Sequence, residues 1–125
     1  MEERIRFIDH KNTRVLLLDF SRATALEMIP LLDQVKATIA QHDPKSVLVL
    51  ADFEAAEIDH AVAMKIKETL TLDRPFVKKS AWIGAEHIPH ALMENFHFFS
   101  QRETVTFKTR EEALDWLVAD QADHA

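Results

Sequence analysis

Four side chains suited to metal binding or proton transfer recur along one segment: His87, His90, Glu94 and His97. Spacings of three, four and three residues would place them on one stripe of a helix. The last three would offer ligands to zinc, or an acid–base pair. The apolar residues of the segment fall on the opposite side, at Ile88, Leu92, Phe96 and Phe99. The stripe is therefore expected to face water, where ligands lack a second shell to orient them, and no metal site is predicted.

A second group of acid–base candidates follows the most apolar strand of the chain: Asp52, Glu54, Asp59 and His60. A neutral imidazole between carboxylates could act as a base in a hydrolase-like enzyme. No serine has the setting of an activated nucleophile, cysteine is absent, and no glycine-rich phosphate loop exists. Asp59 is also a natural cap for the helix that follows it. A hydrolase-like enzyme is therefore the least favoured of three functions, after an interaction module and a binder of a small apolar ligand. No cofactor is expected.

The strand that ends at Asp52 organises the rest of the chain. Residues 47–51 are all apolar, so this strand has no polar face and is expected to be covered on both sides. Asp52 closes it at the end where ligands and partners of parallel sheets gather. Residues 14–20 predict a second apolar strand, again with an acidic residue near its end. Residues 4–8 are expected to pair with it as an antiparallel hairpin.

Local motifs divide the remainder into helices and strands. Thr24 with Glu27, and Thr109 with Glu112, have the spacing of capping boxes. Pro30 should bend the first helix or delay its regular part by a turn. The order β-β-α-β-α-β-α-β-α predicts an α/β fold with a mixed, mostly parallel sheet of about five strands and four helices. It is expected to form a single domain over residues 1–125, with an ordered core of about residues 4–119.

The chain has only one glycine, Gly84, which follows the strand predicted at residues 76–83. A single glycine at the end of a strand implies that the backbone needs it there. Either a positive φ angle or the close approach of a neighbouring segment would require glycine at this position.

The composition is that of a soluble globular protein, with 125 residues, 47% of them apolar and 29% charged. The absence of cysteine excludes disulfides and thiolate metal sites. A net charge of −6 repels phosphate backbones and anionic lipid, so neither nucleic acid nor stable membrane association is expected. Because residues 1–4 lack the order of a secretory signal, a cytoplasmic location is expected.

Several segments match a known pattern in the same order along the chain: Val-Leu-Val-Leu-Ala-Asp at 47–52, Ile-Asp at 58–59, Phe-Val-Lys at 76–78, Ala-Trp-Ile-Gly at 81–84, Phe-Ser at 99–100, Phe107, and Glu-Glu-Ala-Leu-Asp-Trp-Leu at 111–117. In these segments the chain resembles the SpoIIAA-like proteins, a family related to the STAS domains of anti-sigma-factor antagonists. The similarity spans about residues 5 to 119, and its motifs are mostly structural. It implies a mixed sheet of about five strands, packed mainly by helices on one side.

One functional motif of the related STAS domains is missing. Those antagonists carry an Asp-Ser-Ser/Thr-Gly turn at the start of the helix after the central strand, and phosphorylation of this turn controls partner binding. This chain has Asp59-His60-Ala61-Val62 in that place. Asp59 matches, but both hydroxyls and the glycine are absent. A serine or threonine phosphoswitch at this turn is therefore chemically impossible.

The function expected from these features is a non-enzymatic, STAS-like interaction or regulatory module that binds a protein partner of unknown identity. Its expected binding residues are Asp52, Phe53, Glu54, Asp59, His60 and Ala61. The alternative is a binder of a small apolar ligand or lipid, since the lipid-carrying CRAL-TRIO domains have a related topology. A closed apolar cavity of about 300 Å3 or more would favour that alternative.

A homodimer is a further expectation. Residues 16–18 and 47–50 put apolar side chains on both faces of the sheet, because successive residues of a strand alternate sides. If the helices crowd mainly onto one face, the other face is an apolar patch that monomers seldom tolerate. Either a helix or the N-terminal segment covers it, or a second chain does by burying about 800 Å2 per partner.

Overall fold

The computed structural model describes residues 3–101 and 104–122. Within these residues the secondary structure follows the predicted β-β-α-β-α-β-α-β-α order. The elements are β1 (Ile5–His10), β2 (Thr13–Asp19), α1 (Ala25–Ile39), β3 (Val47–Asp52), α2 (His60–Asp73), β4 (Val77–Ile83), α3 (His90–Ser100), β5 (Thr104–Phe107) and α4 (Arg110–Ala122).

The strands form one mixed sheet in the order β1-β2-β3-β4-β5. The predicted hairpin is confirmed, because β1 pairs antiparallel with β2 through a two-residue turn at Lys11 and Asn12. Both turn residues have positive φ, 51° and 64°, as a tight hairpin between right-twisted strands requires. The other three pairings are parallel, so the carboxyl ends of β2 to β5 lie along one edge of the sheet. We call this the carboxyl edge.

Helices cover both faces of the sheet. The first face packs against α1, α2 and α3, and Val49 and Ala51 of β3 lie beneath them. The second face packs against α4, and Leu48 and Leu50 of β3 lie beneath it. The central strand is therefore buried on both sides, as its unbroken apolar run predicts. The premise of an open apolar face is wrong because α4 covers that face, so the homodimer remains a prediction without its original support.

Helix starts follow the local motifs. The Glu27 N–H donates to Thr24 Oγ1 at 3.2 Å, and the Thr24 N–H donates to Glu27 Oε1 at 2.9 Å, which confirms the first capping box. The helix is regular from Ala25 and runs through Pro30 without the predicted delay. Pro30 is exposed, and its missing N–H leaves only the carbonyl four residues earlier without a helical donor.

No helix in the described part of the chain is both long and apolar enough to cross a membrane.

Candidate functional site

The six predicted binding residues lie on one continuous segment at the carboxyl edge, but they divide between the interior and the surface. Asp52 ends β3 and Phe53 follows it, and both are buried. The other four are exposed: Glu54, Asp59, His60 and Ala61. The segment therefore presents an exposed surface rather than one cluster of reactive groups.

The buried Asp52 carboxylate is held by an arginine from the opposite end of the sequence. Arg110, the first residue of α4, donates to Asp52 Oδ2 from Nη2 at 2.8 Å and from Nε at 3.2 Å. The other carboxylate oxygen, Oδ1, accepts the Glu54 N–H at 3.0 Å. Both oxygens of Asp52 therefore have strong donors, and this carboxylate is a structural anchor rather than a free base.

A second carboxylate, Asp19 at the end of β2, lies beside this pair. Asp19 and Asp52 are register partners in neighbouring strands, and Asp19 Oδ1 lies 3.6 Å from Arg110 Nη2. Burial opposes the ionisation of Asp19, but hydrogen bonds from the Ser21 hydroxyl and N–H outweigh it. Together with the charges of Arg110 and Arg4, they hold the pKa of Asp19 below its ordinary value. Arg110 thus bridges two anionic strand ends.

The sequence interpretation did not find Arg110. It is 58 residues from Asp52, and no local motif connects the two. One signal was present: a cation at the first position of a helix opposes the helix dipole and needs another reason to be there. Matched acidic residues at the ends of two adjacent apolar strands, Asp19 and Asp52, supply that reason.

The loop that follows β3, residues 53–57, is exposed in part yet bonded to three neighbouring segments. We call it the edge loop. The Phe53 N–H donates to the Ile83 carbonyl at 2.9 Å, and the Glu57 N–H donates to the Ala23 carbonyl at 2.9 Å. The Glu54 carbonyl accepts the Arg22 N–H at 2.8 Å. These bonds tie the edge loop to the end of β4 and to the connection between β2 and α1.

Two side-chain contacts complete this attachment. The Glu57 carboxylate accepts the Ala25 N–H at 2.8 Å, which caps the start of α1. His87 Nε2 lies 3.0 Å from the Ala56 carbonyl and joins the edge loop to the connection between β4 and α3. The edge loop is therefore the part of the carboxyl edge that links α1, β4 and the connection that leads into α3.

Gly84 has both features that its position predicts. Its φ is +68°, and a Cβ atom built on it would lie 2.4 Å from the Glu54 backbone nitrogen and 2.6 Å from Glu54 Cα. Real Cβ contacts do not reach such distances, so only glycine allows the edge loop to pack against the end of β4.

The first turn of α2 carries the segment that, by the resemblance of the sequence, corresponds to the STAS phosphorylation turn. Asp59 is the N-cap, and its Oδ1 accepts the Val62 N–H at 2.8 Å, as expected from its position. His60 and Ala61 follow it and are exposed. Asp59 is therefore used in folding, and the two residues after it form an accessible surface.

A large open groove lies between α3 and the start of α4. We call it the α3–α4 crevice; its volume is about 1160 Å3. One wall consists of residues 85–90 with Met93, Glu94 and His97, and the other of residues 106–108 with Glu112. The predicted histidine stripe is exposed and lies along this crevice. His87 is directed to the edge loop, and His90 Nε2 lies 3.0 Å from Glu94 Oε1.

The structure gives no reason to expect a metal in this stripe. Among the described residues, no three side chains of histidine or acidic residues are placed to hold an ion together. We therefore predict that stoichiometric zinc leaves the melting temperature within about 1 °C of its value in chelator, since a ligand stabilises only a fold that it binds. Differential scanning fluorimetry measures this. A rise of several degrees that His90→Ala abolishes would contradict the prediction.

The apolar space within the core is small. A cavity lined by Phe20, Phe53 and Trp82 lies between the first face of the sheet and its helices, and its volume is about 30 Å3. This is a tenth of the volume that would favour an apolar ligand. The cavity therefore gives no support to the alternative function.

Neither a protein-family model nor a curated protein matches the chain. Among solved structures, it is similar to the crystal structure of an uncharacterized protein from the DUF3478 family with a SpoIIAA-like fold, from Shewanella loihica PV-4. The two chains are 17% identical, the TM-score is 0.69, and the match covers 90% of this chain and 91% of that chain. Identity at this level shows the fold alone. The chain therefore has a SpoIIAA-like fold, as the resemblance of its sequence implies.

Proposed function

We propose that this protein is a non-enzymatic, cytoplasmic interaction or regulatory module that binds a protein partner. The binding surface is the edge loop together with the first turn of α2, from Glu54 to Ala61. Its partner binds without serine or threonine phosphorylation at this turn, because residues 59–62 carry no hydroxyl.

The observation that supports this proposal most is the fixed conformation of an exposed loop. Ala55, at the tip of the edge loop, is exposed and has a φ of 56°, a conformation that is unfavourable for alanine. Such backbone strain persists only where the surrounding bonds determine the conformation, and it concentrates at functional sites. A loop that is already fixed loses little entropy on binding, so its exposed side chains form a preorganised surface for a partner.

Two of the proposed acid–base groups are already engaged. Asp52 accepts hydrogen bonds from Arg110 and the edge loop, and Asp59 caps α2. A hydrolase would need these carboxylates to be available to a substrate or to orient His60. Their engagement in the fold favours binding over catalysis.

A pair of matched substitutions tests the proposed surface. Ala61→Arg places a long cationic side chain on the first turn of α2, whereas Ala37→Arg places the same side chain on an exposed position of α1. We expect Ala61→Arg to reduce the capture of the specific partner at least about tenfold, the effect of about 1.4 kcal/mol at a contact residue. Ala37→Arg is expected to leave capture unchanged.

The measurement is quantitative mass spectrometry of proteins captured by each tagged variant from a lysate of the source organism. Equal melting temperatures of the two variants would show that both are folded. If every protein captured by the unsubstituted chain is also captured equally by Ala61→Arg, this surface is not the binding site.

A further inference from the structure

The α3–α4 crevice lies where the chain leaves two neighbouring strands in opposite directions. After β4 the chain continues into α3, which packs on the first face of the sheet. After β5 it continues into α4, which packs on the second face. Connections that diverge in this way leave a space between them at the carboxyl ends of the strands. In open α/β sheets, ligands bind in such a space.

The size and shape of the crevice favour an extended ligand. Its volume of about 1160 Å3 exceeds the range of about 300 to 1,000 Å3 that is typical of small-molecule pockets. Its walls are largely exposed, so it would not enclose a small molecule as such pockets do. The α3 wall extends from His90 to His97, which is two turns of helix. A groove of this form accommodates a peptide segment that lies along it.

The charges that line the crevice indicate which sign of charge a bound peptide would carry. Three carboxylates line the crevice, at Glu86, Glu94 and Glu112, together with one ammonium group at Lys108 and three imidazoles, of which that of His90 contacts Glu94. With histidine counted as neutral, three negative charges and one positive charge give the lining a formal charge of −2. The half-buried side chains of Met93 and Phe107 add apolar surface between these charges. A peptide that carries lysine or arginine beside apolar residues would complement both features.

We infer that the α3–α4 crevice binds a cationic, extended peptide segment of a protein partner. This inference rests on the proposed function and adds the chemistry of the partner. The crevice is continuous with the proposed interaction surface, because His87 lines the crevice and also contacts the Ala56 carbonyl of the edge loop at 3.0 Å. One partner can therefore contact the edge loop and place a basic segment in the crevice.

The test uses two fluorescein-labelled nonapeptides. In the first, lysine alternates with leucine; in the second, glutamate replaces each lysine. Fluorescence anisotropy with the 125-residue chain is expected to show binding of the lysine peptide at least about tenfold tighter than that of the glutamate peptide. Amide chemical shifts in NMR spectra are expected to change mainly at residues 85–97 and 104–108.

Matched neutral substitutions locate the interaction. Glu86→Gln with Glu94→Gln removes two carboxylates from the crevice, and we expect it to weaken binding of the lysine peptide about fivefold. Asp9→Asn with Asp43→Asn is the control, since these exposed residues lie outside the crevice and the change in net charge is the same. Glu112 is left unchanged because its backbone and carboxylate interact with Thr109 at the start of α4.

Three results would overturn the inference: equal affinity for the two peptides, equal weakening by the two double substitutions, or chemical-shift changes centred away from the crevice. None of these results bears on Ala61→Arg, because Ala61 does not line the crevice. Loss of the natural partner in Ala61→Arg with no effect of Glu86→Gln/Glu94→Gln would keep the proposed function and reject the basic segment. The reverse pattern would keep the basic segment and reject the edge loop as the binding surface.

Discussion

Replacement of Gly84 by alanine is expected to lower the free energy of unfolding by about 3 kcal/mol. Two costs add at this position. Alanine at a φ of +68° is strained by about 1 to 2 kcal/mol relative to glycine. In addition, the new Cβ would lie 2.4 Å from the Glu54 backbone nitrogen, so the edge loop would have to move away from the end of β4. The neighbour is backbone rather than a flexible side chain, and a small adjustment cannot relieve the contact.

The control for this prediction lies in the same loop. Ala55 also has a positive φ, 56°, but it is an exposed alanine. Ala55→Gly is therefore expected to leave stability unchanged or to raise it by less than about 1 kcal/mol, since relief of strain is offset by the greater entropy of the unfolded chain. Urea denaturation followed by circular dichroism measures both variants. If Gly84→Ala costs less than about 1 kcal/mol, the close approach of the edge loop is not a constraint on the fold.

The features that the sequence predicted well are those encoded by neighbouring residues. The capping box at Thr24, the cap at Asp59 and the buried strand at residues 47–51 each depend on a short local pattern, and each is confirmed. The same holds for Gly84, because a glycine at a strand end, in a chain with no second glycine, indicates a backbone conformation or contact that a side chain would prevent. Local patterns determine which elements form and where they begin.

The side of the sheet on which a helix packs is not encoded by neighbouring residues in this way. Each of α1, α2 and α3 connects two parallel neighbouring strands, so the right-handed crossover rule places all three on the same face. No strand follows α4 within the described residues, and the rule therefore does not apply to it. Its inward residues Ala113 and Leu117 would fit either face. The sequence interpretation consequently left open whether a helix, the N-terminal segment or a second chain covers the second face, and it favoured a homodimer.

The candidate site was predicted in part for the same reason. Asp52 and the segment up to Ala61 were placed correctly at the carboxyl edge, because strand ends can be read from the apolar pattern. The partner of Asp52 could not be read in this way, since Arg110 reaches it only through the packing of α4 on the second face. The crevice could not be predicted for the same reason, because it forms where α3 and α4 pack on opposite faces of the sheet.

Removal of Arg110 is the second substitution expected to have a large effect. Arg110→Met retains apolar bulk but leaves the Asp52 carboxylate, whose side chain is 5% exposed, with the Glu54 N–H as its one remaining donor among the described residues. Breaking a fully buried ion pair from one side costs about 3 to 5 kcal/mol. The Arg110 side chain is 40% exposed, so water can enter its place, and we expect a smaller loss of about 2 kcal/mol.

Substitution of Asp52 is expected to lower the free energy of unfolding less than substitution of Arg110. Asp52→Asn keeps an oxygen that can accept the Glu54 N–H, and it leaves Arg110 near Asp19 and water, so its cost is expected to be about 1 kcal/mol. In Asp52→Asn/Arg110→Met the unpaired carboxylate is gone, and the double variant should be less destabilised than the sum of the single variants by about 1 to 2 kcal/mol. Urea denaturation of the four proteins at pH 7 gives this coupling energy directly. Additive costs, or a larger loss in Asp52→Asn than in Arg110→Met, would mean that the contact between α4 and β3 does not depend on neutralising a buried charge.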